Sequence, residues 1–154
     1  MTQADISDLK PEEIDWATGT ITRRRSKTQH HEQTPIVCYR LWRKTWTLLQ
    51  QYGNRTGDHA LLTKTGKSWV RDEILDGKRH RVDAIRSAYR HLEIPHPLKL
   101  FRKTGSTVLN REYPDCVERY LGHVPRTVTD RSYVDPDQER FDKAIEWLGQ
   151  QFGL

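Results

Sequence analysis

The chain has few of the groups that metal, redox or membrane chemistry requires. Cysteine occurs only at Cys38 and Cys116, too few for a disulfide framework. His30, His31 and the two cysteines lack the paired spacing of a zinc site, so neither a metal nor another cofactor is expected. No glycine-rich phosphate loop and no internal repeat is present. No apolar run approaches the roughly 20 residues needed to cross a bilayer, and no amino-terminal apolar stretch resembles a signal peptide. These absences predict a cytoplasmic protein without a membrane partner.

The chain is well supplied with positive charge and large aromatics. With 154 residues, five tryptophans and six tyrosines, it is long enough to bury a core as one domain spanning 1–154. The formal net charge is +5, but residues 1–15 carry −4 and residues 132–154 carry −3, leaving +12 on the middle segment. That charge gathers in Arg23-Arg24-Arg25 with Lys27, in Arg40-Arg43-Lys44, and in Lys78-Arg79-His80-Arg81. Such a field attracts a polyanion through steering and counterion release, so double-stranded DNA is the expected partner. Arg23, Arg24, Arg25, Arg79 and Arg81 are its expected phosphate contacts.

Local patterning predicts a mainly α chain with a small antiparallel sheet. Ile6 and Leu9 mark a short helical piece ended by Pro11. Ile14–Trp16 and Thr20–Arg25 form a hairpin about Thr18-Gly19, with Lys27 leaving the sheet and a third strand near Thr34–Val37. Val37, Leu41, Leu48 and Leu49 share a helical face, with that helix ending near Gly53. Val82, Ile85, Tyr89 and Leu92 mark another helix. Leu100, Phe101, Thr104, Val108 and Leu109 define the inner face of a helix that opens with Lys99 and Arg102. Pro114 starts the next helix and Gly122 ends it, leaving His123 just beyond a helix terminus. Asp135-Pro136 is expected to open a last helix with the stripe Phe141, Ile145, Leu148 and Phe152.

The ordered set "RSKT", "KLFR" and "LGH" with a tyrosine ten residues later resembles the catalytic domain of tyrosine recombinases, or phage integrases. The likeness runs from "ADISDLKPEEID" almost to the end of the chain. It implies a mainly α fold with a three-stranded antiparallel sheet, a duplex DNA substrate, and a piece of a longer protein lacking an amino-terminal core-binding domain. It also implies that Tyr133 attacks the scissile phosphate to give a 3′-phosphotyrosyl link, while Arg102, His123 and Lys99 hold the phosphate. Lys27 would protonate the leaving sugar oxygen, and the last helix would dock on a neighbouring protomer on DNA.

The residue types suit that chemistry. A phosphodiester is an anion, so cleaving it without metal needs fixed cationic donors about its oxygens. Arginine's planar fork bonds two oxygens and keeps its charge. The sequence departs from the family in two places. Lys99 stands where histidine is usual, and Thr2 stands where the first catalytic arginine belongs. Either another cation, Arg25 or Arg24, replaces it, or the chain is a DNA-binding module without strand transfer.

Overall fold

The computed structural model of the chain describes residues 1–28, 30, 34–123 and 137–154. It combines helices with a three-stranded and a two-stranded antiparallel sheet. Thr2 caps helix α1 (Gln3–Ser7), and a 3-10 turn at Pro11–Glu13 leads into strand β1 (Ile14–Asp15). The hairpin to β2 (Thr20–Arg24) closes through Asp15, whose carboxylate accepts from the Ala17 amide at 2.9 Å and the Thr18 hydroxyl at 2.6 Å. Gly19, at φ +75, completes the turn in a conformation that favours glycine. A 3-10 turn at Ser26–Thr28 follows β2, and β3 (Ile36–Arg40) pairs with β2 so that Thr22 opposes Cys38.

The expected helical face through Val37 and Leu41 is corrected here. Val37 lies on β3, and helix α2 (Arg43–Tyr52) begins beyond Trp42, with Leu49 buried and Leu48 exposed. Strand period places Ile21 and Arg23 on one inward face of β2, and helical period gives α2 its own. Leu9, Ile14, Ile21, Leu49 and Ala60 form one apolar cluster, flanked by Trp16 and Trp46.

A second sheet was not expected from the sequence. Strands β4 (Val70–Leu75) and β5 (Lys78–Asp83) form a hairpin about Asp76 and Gly77, both at positive φ, a geometry typical of two-residue turns. Ser7 anchors its base, accepting from the Val70 amide at 2.9 Å. Helix α3 (Ala84–His91) follows, so Val82 belongs to β5 and not to that helix.

Helices α4 (Lys99–Glu112), α5 (Val117–Leu121) and α6 (Gln138–Gln151) enclose the larger core. Val37, Leu109, Cys116, Phe141, Ala144, Ile145 and Leu148 are buried together there. Trp42 locks α6 to the sheet by donating its indole N–H to the Ile145 carbonyl at 2.7 Å. The helix is capped by Asp137, whose side chain accepts from the Arg140 amide; the expected opening at Asp135-Pro136 lies outside the described residues. Among the described residues, no helix is long and apolar enough to cross a membrane.

The apolar stripe of α6 thus packs on its own domain. Phe141 is fully buried and Phe152, 45% exposed, stands outside the core. Three of the four side chains expected to serve self-association are covered by the chain's own core, and Phe152 alone of the stripe is exposed. Phe141→Ala should destabilise the chain by about 3–5 kcal/mol, against about 0.5 kcal/mol or less for Phe152→Ala. Urea unfolding of the two variants checks this; equal costs would place the stripe elsewhere.

Candidate active site

Arg102 occupies the inner face of α4, three residues before buried Gly105 and seven before buried Leu109. The phase differs from the sequence expectation by one position. Phe101 is 63% exposed and meets Tyr89 edge-on, with ring centroids 5.9 Å apart. Gly105 lets α5 approach, since a Cβ there would overlap the Tyr120 hydroxyl. This close approach brings the end of α5 to Arg102, which donates from Nη2 to the Leu121 carbonyl.

Gly122 ends α5 in the left-handed region, at φ 59 and ψ 38. Its amide donates to the Arg119 carbonyl at 2.9 Å, and the His123 amide donates to the Glu118 carbonyl at 3.0 Å. His123 is thereby folded back over the helix end, with Nε2 at 3.5 Å from Arg102 Nη2. Two residues that the sequence proposed for one site, Arg102 and His123, are adjacent.

Arg25 is the third member. It lines a narrow concavity with Met1, Asp5, Arg23, Tyr39, Arg102 and Leu121, of about 10 Å³ free space, room for roughly one water. Arg25 Nε is buried and has no hydrogen-bond partner among the described residues. Arg102 is pushed below the ordinary guanidinium value, first by burial and then by Arg25, though arginine stays charged in either case. Two cations therefore line one narrow recess, close enough for Arg25 to act on Arg102. Beside it Arg102 and His123 are partly exposed.

The nearby carboxylate does not pair with either cation. Asp5 accepts from the Thr2 amide and from the Ser26 amide at 2.8 Å. Burial alone would raise its carboxyl, but these hydrogen bonds from Thr2 and Ser26 outweigh it and hold the group at about 2. Thr2, which stands where the resemblance expects an arginine, caps α1 by accepting from the Asp5 amide at 3.2 Å. Thr-x-x-Asp is the signature of that reciprocal cap, and it was readable in the sequence. Tyr39 donates to the Tyr120 carbonyl at 3.4 Å, and burial pushes its phenol up to about 12.

The other proposed residues are placed less uniformly. Arg23 is corrected from a phosphate contact to an interior group. It is 7% exposed, donates to the Asp5 carbonyl and the Ser26 hydroxyl, and lies 3.6 Å from Glu13. Arg24, Lys27 and Lys99 are exposed, Lys27 in the turn after β2 and Lys99 at the start of α4. Arg79 is ion-paired with Asp72, and Arg81 sits opposite Asp72 in the β4–β5 register. Residues 70–83 hold four basic and four acidic side chains, so this hairpin is a weaker phosphate surface than its basic strand alone suggests. Tyr133 lies outside the described residues. Among the described residues no group of His, Cys, Asp and Glu is arranged to hold a metal.

The depressed Asp5 carboxyl makes stability depend on acid. Its folded value lies below the ordinary 3.8, so the stabilisation is complete above about pH 5 and fades as pH falls through about 2. The difference is about 2 kcal/mol. Asp5→Asn should lower stability at pH 6 and remove about that much of the loss seen between pH 6 and pH 2. Urea unfolding at the two pH values checks this; an unchanged pH dependence would mean that Asp5 is not the linked group.

No family model matches the chain, and neither the curated proteins nor the solved structures give a significant match to it.

Proposed function

We propose that this chain cleaves and rejoins duplex DNA by the tyrosine recombinase mechanism. The observation that carries the reading is the juxtaposition of Arg25 and Arg102, with His123 beside Arg102 and the Asp5 carboxylate of the recess bonded to the Thr2 and Ser26 amides and not to a guanidinium. Like charges held together in a half-buried recess are unfavourable until an anion docks. A phosphodiester supplies that anion. A short helix and a three-stranded antiparallel sheet ahead of the later helices fit what the resemblance implies, with the β4–β5 hairpin as an addition to it.

In this reading Tyr133 gives up its phenol proton to solvent and attacks phosphorus, its oxygen forms the new ester, and the 5′ oxygen leaves with a proton from Lys27. Arg25 and Arg102 neutralise the charge that grows on the phosphoryl oxygens, with His123 and Lys99 as further donors. Arg25 thus takes the duty that the family assigns to an arginine at position 2. The phosphotyrosyl link keeps the ester, so rejoining requires no nucleotide. Arg24, Arg81 and Arg79 contribute to the surrounding field, Arg79 less because Asp72 holds it.

Thr2 favours a second reading, a DNA-binding module of the same fold without strand transfer, because its side chain is a helix cap and not a cation. One experiment separates the two. Incubated with nicked duplexes carrying the target site, the chain joined to a core-binding domain should form a covalent adduct that Tyr133→Phe abolishes. Arg102→Ala should slow adduct formation by about 10²–10³-fold. An adduct that persists in Tyr133→Phe contradicts the assignment. Salt-sensitive binding with no adduct in the unsubstituted chain favours the binding module.

A further inference from the structure

The end of α5 places together two side chains that the sequence separates by five positions. The paired hydrogen bonds from Gly122 to Arg119 and from His123 to Glu118 form a Schellman turn. In that turn the first and sixth residues face each other, and an apolar contact is the usual companion. Here the two are Glu118 and His123. Glu118 Oε2 lies 2.9 Å from His123 Nδ1, while His123 Nε2 is directed at Arg102. An ionised carboxylate accepts and cannot donate, so the proton belongs on Nδ1.

We propose that Glu118 is a positioning residue that fixes the Nδ1–H tautomer of His123, so that Nε2 faces the Arg25–Arg102 recess and gains a second proton when an anion docks there. The assignment rests on the reading of that recess as a phosphate site. The groups about the ring are Glu118 on α5, Arg102 on α4, and Arg25 and Tyr39, which approach the neighbouring Gly122 from the sheet side. Two guanidiniums oppose an imidazolium; the Glu118 carboxylate and the incoming anion offset them. The second proton comes from solvent, one per anion, and turns Nε2 from an acceptor into a donor to the anion's oxygen. Elsewhere in proteins an imidazole's far nitrogen is oriented in the same way by a partner on the near one.

Side-chain nitrogen spectra of the labelled full chain test this, with inorganic sulfate as the probe. At a pH where the ring is neutral, His123 should show a protonated Nδ1 and a lone pair on Nε2, and sulfate should convert Nε2 to the protonated form. Glu118 is half-exposed, so its substitution should leave the fold intact, which the amide spectrum verifies. Glu118→Ala should shift the neutral ring toward Nε2–H. Glu118→Gln keeps an acceptor without charge; it should retain the tautomer and lose the protonation induced by sulfate. An Nε2–H ring in the unsubstituted chain, a tautomer unmoved by Glu118→Ala, or no response of Nε2 to sulfate overturns the proposal. These readings use no DNA, so a failure of strand cleavage through Tyr133 stays distinguishable from a failure here.

Discussion

The site depends on what the Asp5 carboxylate bonds. A buried carboxylate beside Arg25 and Arg102 would ordinarily pair with a guanidinium and quench the charge. Asp5 is instead held by the backbone amides of Thr2 and Ser26, one before α1 and one after β2. Its main-chain carbonyl also receives Arg23, which closes the same knot from inside the sheet. These bonds stitch the first helix to the strand that presents Arg25. They satisfy the acid locally, so it pairs with neither Arg25 nor Arg102.

The rest of the fold brings Arg102 and His123 to that knot. Leu109 anchors α4, Gly105 admits α5, and α6 braces both by burying Phe141, Ile145 and Leu148 beneath β3 and α5. Arg119 lies over the Phe141 ring at 4.8 Å and bonds Gln138, tying α5 to the start of α6. Arg140 reaches Asp115 through two hydrogen bonds of 2.6 and 2.9 Å, fixing the turn before α5. Individually such exposed pairs contribute little. Together with the buried stripe they fix the end of α5, and with it the direction of the His123 ring.

Features with one clear period were legible in the sequence. The β1–β2 hairpin followed from Thr18-Gly19 between short apolar runs, the end of α5 from Gly122, and the last helix from its four-residue stripe. The β4–β5 hairpin is not legible in the sequence although Asp76-Gly77 is a strong turn signal, because "VRDEIL" and "KRHRVD" lack apolar alternation. They lack it because much of the ribbon is solvated, with Ile74 and Leu75 exposed near its tip. The charge of its neighbours suggests a surface place for Arg23, whereas the two-residue strand period places it inward with Ile21. The phase of α4 differs by one residue from its sequence pattern because Phe101 invites burial and instead pairs with Tyr89 at the surface. The isolation of Arg25 from Asp5 is a tertiary fact, and no spacing in the chain announces it.

The central claim is that Arg25, Arg102 and His123 form one anion site. The most direct measurement is a crystal structure of the chain grown or soaked with sulfate. The account predicts a sulfate at the mouth of the recess, within hydrogen-bond reach of both guanidiniums and of His123 Nε2, with the Asp5 carboxylate still on the Thr2 and Ser26 amides. A guanidinium paired with Asp5 and no sulfate between the arginines would contradict it.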